Sequence, residues 1–177
     1  MGPKKIVMKK LLIAASFILL TGVAFCQNKS DIEKEKKAIM AVLQEEGNAH
    51  AEHDLEGLQK AYINDSHTVR VHTRKNNYSI LEGWDQVNSL FESWLTMDMS
   101  KIKNIVHSKD NVIIKVLDNN AWVICDNIWK YERDGESVER SEIQITFLEK
   151  NNKEWKISFN AIVSKPGPNR EKTNASS

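Results

Sequence analysis

Between Ala121 and Val163 three strand-like runs follow one another with only short polar turns between them, and that succession leaves the chain few folds to choose from. The runs are Ala121 to Tyr131, Ser141 to Leu148 and Glu154 to Val163. Arg133-Asp134-Gly135-Glu136 and Asn151-Asn152-Lys153 separate them, both built from residues that favour turns. Strands so closely joined form an antiparallel meander. Period-two alternation gives one face made of Trp122, Ile124, Ile128, Ile143, Ile145, Phe147, Trp155, Ile157, Phe159 and Ala161, which is read as the face toward the core. The opposite face carries Cys125, Asn127, Trp129, Tyr131, Gln144, Thr146, Lys156, Ser158 and Asn160, and is read as the outer one.

Upstream, apolar residues recur at helical spacing. Asn28 to His53 reads as a first helix with Ile39 and Leu43 on its stripe, capped by Ser30 or Asp31. A short second helix follows with Asp54 as its cap and Leu55, Leu58, Ala61 and Tyr62 on one face. Ser66 to Thr73 reads as an edge strand and Arg74 to Asn77 as a turn. A third helix, entered through Leu81-Glu82-Gly83, carries Trp84, Val87, Leu90, Phe91, Trp94 and Leu95. Lys101 to His107 and Asn111 to Leu117 read as two further strands. Helices gathered ahead of one antiparallel sheet define an α+β class.

The first 26 residues stand apart. Lys4, Lys5, Lys9 and Lys10 precede an apolar run from Leu11 to Phe25, the layout of a secretory signal peptide, with cleavage expected after Cys26 and Met8 as an alternative start. Lipid attachment at Cys26 is the competing outcome, disfavoured by the bulky Phe25 just before it. The expected organisation is therefore a signal peptide at 1–26, one domain at 27–164 and a disordered tail at 165–177 that begins Lys165-Pro166-Gly167-Pro168. Residues 1–26 hold four of the 25 basic residues and none of the 24 acidic ones, so 21 basic residues remain and the net charge falls to about −3. That balance, with the two signs interspersed, excludes a phosphate-backbone binder, and no nucleic-acid partner is expected. After export Cys125 is left alone; with no basic cluster near it in sequence it reads as a small packed side chain.

Four features together carry a resemblance: the long first helix, the short helix closing in Ala61-Tyr62-Ile63-Asn64-Asp65, the Glu82-Gly83 entry, and Ile145-Thr146-Phe147-Leu148 set against Trp155-Lys156-Ile157. Over about residues 30 to 164 the chain resembles the nuclear transport factor 2-like superfamily, in particular its SnoaL-like branch. The resemblance implies a cone-shaped curved antiparallel sheet wrapped around three N-terminal helices, with a small-molecule pocket at the open end. It also implies a homodimer, for which Trp129 and Tyr131 on the outer face are the expected contacts. The scaffold serves isomerases, cyclases, dehydratases and proteins without chemistry, so function has to come from the site. Ketosteroid isomerases share the fold and use a carboxylate base on the first strand, but Val71 stands at that position here, and Phe159-Asn160-Ala161 replaces the histidines that many relatives carry on the last strand.

Two residues are candidates for proton transfer. Asp126 falls on the face shared by Ile124 and Ile128, where burial would raise its pKa, and His72 sits on the first strand. Glu46, His50, Tyr62, Trp84, Trp94 and Asn160 are the candidate ligand-binding set, aromatic walls with a few orienting polar groups. His50 and His53 lie at i, i+3 beside Asp54, but nothing completes a set of three or four ligands, so no metal and no cofactor is expected. The expectation is an exported protein that binds a small apolar or amphipathic molecule in its cone. The alternatives are an isomerase, lyase or hydrolase using Asp126 or His72, and a dimerisation module with a filled cone.

Overall fold

The computed structural model describes residues 29–74 and 77–165. The expected signal peptide, the Cys26 processing site, the Lys75-Asn76 turn and the tail beyond Lys165 lie outside them. The chain divides into two compact units, 1–38 and 39–177. Of the first, 29–38 is helical and carries an ion pair from Lys36 to Glu33. Helix α1 spans 29–52, and its residues 39–52 open the second unit.

That unit continues with α2 (Leu55–Ala61), β1 (Val69–Arg74), β2 (Asn77–Glu82), α3 (Trp84–Leu95), β3 (Ile102–Leu117), β4 (Asn120–Arg133), β5 (Glu136–Asn151) and β6 (Glu154–Ser164). It is α+β, with a curved, unclosed six-stranded sheet in the order β2-β1-β6-β5-β4-β3. Pairing is antiparallel throughout except where β1 lies parallel to β6. Asp54 caps α2 as expected, its carboxylate accepting from the Gly57 N–H at 3.0 Å. Gly83 adopts φ +84, a conformation open chiefly to glycine, and so turns the chain from β2 into α3. In the β4–β5 turn both Asp134 and Gly135 have positive φ, the geometry of a tight hairpin whose twist matches its strands.

Two elements differ from the sequence reading. β1 is an interior strand, because Asn77–Glu82 forms β2 beside it and takes the edge. The two strands expected around Lys109 are a single β3, broken only by register shifts between Lys103 and Val106 and between Asp110 and Ile113. Asn104 and Asn111 sit at these irregularities with positive φ, a conformation asparagine tolerates better than most residues.

The larger correction concerns the faces of the meander. Ala121, Val123, Cys125 and Asn127 of β4 and Glu142, Gln144, Thr146 and Leu148 of β5 are buried, whereas Trp122, Ile124, Ile143 and Ile145 are only half-buried and Phe147 is exposed. On β5 the more polar face is therefore the inner one, while the inner face of β4 carries the small apolar residues Ala121, Val123 and Cys125 followed by Asn127. On β6, Ser158 absorbs a register shift, so that Trp155 and Ile157 before it and Asn160 and Ile162 after it are all buried. The cause is visible across the sheet: Asn127, Gln144 and Asn160 are the partners of charged side chains that α1 and β3 send inward. The core proper is Ile39, Leu43, Leu58, Val87, Phe91, Val123, Leu148 and Ile157 with their neighbours.

Candidate functional site

Glu46, one helical turn before His50 on α1, is the centre of a buried polar network. Its carboxylate accepts from the Tyr62 hydroxyl at 3.2 Å and from the Asn160 amide at 3.3 Å. Arg70 on β1 approaches the same oxygen at 3.6 Å, and Lys109 on β3 approaches the other at 3.9 Å. Arg70 also donates to the Tyr62 hydroxyl at 2.5 Å and lies 3.4 Å from His50 Nε2. Lys109 donates to Gln144 at 2.6 Å and to Asn127 at 3.3 Å, and Gln144 passes the chain on to Asn160 at 3.2 Å. His107 closes the far end, 2.6 Å from Asn127 and stacked on Trp129 at 4.5 Å. Four elements thus converge on one carboxylate, and the inward polar residues of β4, β5 and β6 are needed because a buried charge is tolerated only when it is paired and hydrogen-bonded.

The electrostatics follow from this packing. Burial alone would push the Glu46 carboxyl up, but His50, Lys109 and Arg70 outweigh it and hold the group at about 2. Burial pushes the His50 imidazole down to about 3 against the pull of Glu46, so at neutral pH the ring is uncharged and the ionic partners of Glu46 are Arg70 and Lys109. Burial likewise lowers Lys109 and raises the Tyr62 hydroxyl.

This network forms the floor of a cavity of about 290 Å³. Phe91, Trp94, Trp129 and Tyr131 supply aromatic walls; Leu95, Met97, Met99, Ile102 and Ile105 supply the aliphatic ones. The Arg70 guanidinium lies over the Phe91 and Trp94 rings at 5.6 and 5.3 Å. A second charged group also lines the cavity: Glu142 on β5 accepts a short hydrogen bond from Arg140 and stands 3.8 Å from His72 Nε2.

The expected site residues fall into four sets. Glu46, His50, His72 and Trp94 border the cavity. Tyr62 and Asn160 lie in the network beneath it, and Trp84 packs against the core near Tyr62 and Phe91. Asp126 belongs to neither the cavity nor the network. Strict alternation places it on the outer face, where Asn111 and Lys165 donate to its carboxylate at 2.8 and 2.7 Å and draw its pKa down, the opposite of the expected rise. Trp129 and Tyr131 are corrected as well: they point into the cavity and are not available as outer-face dimer contacts. His53 lines the cavity, and Asp54 is committed to capping α2. Among the described residues no group of three or more His, Cys, Asp or Glu side chains converges as a metal site.

Sequence reasoning missed Arg70, His107, Lys109 and Glu142. One signal was present: Arg70 sits between Val69 and Val71, and Lys109 interrupts two apolar runs, so each is a charge at a position where a strand turns a side chain inward.

No protein-family model matches the sequence, and no curated protein matches it. Solved structures do. A nuclear transport factor 2-like protein with a cystatin-like fold from Novosphingobium aromaticivorans aligns with a TM-score of 0.65 at 12% identity, covering 80% of this chain and 88% of that one. A nuclear transport factor 2-like superfamily protein from Salmonella enterica serovar Typhimurium gives 0.61 at 16% identity, covering 77% and 95%. A candidate dehydratase of the same family from Streptomyces avermitilis gives 0.62 at 12% identity, covering 76% and 99%. Element order, sheet topology and these alignments agree, and the chain has the nuclear transport factor 2-like fold.

Proposed function

We propose that this protein, a SnoaL-like member of its fold, is exported and binds a small amphipathic molecule in the cavity between α3 and the sheet. One observation carries the reading: aromatic and aliphatic walls enclose about 290 Å³ above a floor of polar groups held by mutual hydrogen bonds. Such a combination of apolar enclosure and a few fixed polar atoms is the usual make-up of a ligand site. The basic and apolar pattern of residues 1–26 supports export, and 27–164 is taken as the mature domain. Among the described residues no helix is long and apolar enough to cross a membrane. Native mass spectrometry of the chain purified from its own source tests the reading. A copurifying small molecule that is lost on Trp94→Ala supports it; ligand-free protein that also fails to bind any member of an amphipathic library removes it.

A second reading has its own support. His72 and Glu142 both border the cavity with Nε2 3.8 Å from the carboxylate, an ion-pair approach longer than a hydrogen bond, and an imidazole and a carboxylate facing one cavity are groups that can move a proton. Under this reading the protein is an isomerase, lyase or hydrolase with His72 as its base. His72→Gln would abolish turnover of a bound molecule while leaving its affinity intact, and unchanged turnover would exclude His72.

The outer sheet face supports a homodimer. Ile124, Ile143, Ile145, Phe147 and Phe159 form an apolar surface there, and Phe147 is 49% exposed.

A further inference from the structure

Among the described residues the cavity has more positive charge than carboxylate to neutralise it. The two acidic side chains of that set that border it are already engaged. Glu46 accepts from Tyr62 and Asn160 and faces Arg70 and Lys109. Glu142 is bound by Arg140 and approached by His72. Against these two stand Arg70, Arg133 and Arg140 in the cavity wall and Lys109 just behind it. In the deep part the imbalance is plain: two cations, with side chains 5% and 1% exposed, share the single carboxylate of Glu46.

Arg70 also has hydrogen-bonding capacity to spare. A guanidinium presents five N–H donors. The Arg70 NH1 group makes the short bond to Tyr62, whereas NH2 makes only a 3.4 Å approach to His50, and Nε has no partner among the described residues. Nε is buried as well as unpartnered, and with NH2 it forms one edge of the guanidinium, the kind of fork that a carboxylate takes with two parallel hydrogen bonds. Beside that group lie the Phe91 and Trp94 rings, with Trp129 across the cavity. A molecule that placed a negative group on Arg70 would lay its hydrocarbon on those rings. Arg133 and Arg140 in the same wall would draw an anion in.

We propose that the ligand of this cavity is an organic monoanion, a carboxylate on an aromatic or aliphatic body, anchored through its carboxylate on Arg70. The inference rests on the reading of the cavity as a ligand site and narrows its chemistry. It predicts discrimination by charge: an uncharged amide of the same shape fills the same apolar walls but leaves the excess positive charge uncompensated. Loss of a charge-assisted, two-point contact corresponds to at least about tenfold in affinity.

The test is isothermal titration calorimetry of the full chain lacking residues 1–26 with three matched acid and amide pairs: 4-phenylbutanoate and 4-phenylbutanamide, 3-indolepropanoate and its amide, octanoate and octanamide. The expected result is that at pH 7.5 at least one acid binds about tenfold or more tightly than its amide. In Arg70→Met that preference collapses while amide binding persists, and Arg70→Lys retains only part of it because the ammonium lacks the fork. Equal affinity for acid and amide overturns the anion inference and leaves the cavity as an apolar-ligand site. Absence of binding by all six compounds overturns the anion inference, and the ligand reading is then decided by native mass spectrometry and the amphipathic library. Should Arg70→Met fail to fold, the wild-type ratio decides, with its decline between 50 and 500 mM salt as the second readout.

Discussion

Replacing Glu46 by Gln isolates the charge at the centre of the network. The substitution keeps shape and keeps an oxygen able to accept from Tyr62 and Asn160, which stand 3.2 and 3.3 Å away. What disappears is the anion facing Arg70 at 3.6 Å and Lys109 at 3.9 Å, both buried. Removing one partner of a buried ion pair leaves an uncompensated charge and costs about 3–5 kcal/mol. For a domain of this size that lowers Tm by roughly 10–20 °C. Urea unfolding followed by tryptophan fluorescence gives the loss directly. The cycle Glu46→Gln, Arg70→Met and the double variant then gives the coupling, expected at about 1–3 kcal/mol because the double variant removes both charges of one pair. A Glu46→Gln loss below about 1 kcal/mol together with an additive cycle would refute the assignment of Glu46 as the counter-ion of this core.

His50 binds its proton at about 3 in the folded chain against 6.5 for the free side chain. Between those values the unfolded chain takes up a proton that the folded one refuses, so stability is full above about pH 6.5 and falls as pH drops, by about 2 kcal/mol at pH 5. Glu46, held at about 2 against 4.5, steepens the loss below about pH 4.5 in the same direction. His50→Gln should flatten the upper part of this curve, as urea midpoints measured from pH 7 to pH 4 would show. Gly47→Ala would place a methyl 1.9 Å from Cε1 of His107 and push that ring off Asn127 and Trp129. A loss of about 1–3 kcal/mol is expected despite the better helix propensity of alanine, and a neutral or stabilising result would show that the ring yields freely. Asp126→Asn should leave both ligand affinity and turnover unchanged, since Asp126 is held on the outer face by Asn111 and Lys165; any loss of binding would place it back in the site.

How much was legible in the sequence differs between the fold and the site. Turn residues, caps and helical spacing are local signals, and they gave the meander, the Asp54 cap and the order of elements. The missed β2 has a physical reason: Asn77–Glu82 has no strong alternation and stays exposed along most of its length, so it is held by pairing with β1. The site was legible where polar residues sat on helices, as with Glu46 and His50. It was illegible on the strands, because the usual rule of apolar inside and polar outside runs backwards on β5, and on β4 the larger apolar residues Trp122 and Ile124 face outward while the smaller ones face in. Lys109 looked like a loop residue for the same reason; it stays in the strand because Glu46, Gln144 and Asn127 receive its charge.

That inversion has a consequence for assembly. Glu142, Gln144 and Thr146 take the inner face of β5, so Ile143, Ile145 and Phe147 are left on the outside of the sheet beside Ile124 of β4. Half-buried isoleucines beside a phenylalanine 49% exposed put apolar side chains on the outer face, where a protein interface would cover them. Covering it by a second copy in a two-fold arrangement would bury the same residues twice, so one substitution counts twice per dimer. Phe147→Glu should therefore convert the species seen by light scattering from dimer to monomer at micromolar concentration. It should leave the cavity unaffected, because Phe147 and Glu46 lie on opposite sides of the sheet. A wild-type chain that is monomeric at every concentration would refute the dimer, and a Phe147→Glu chain that stays dimeric would move the interface elsewhere.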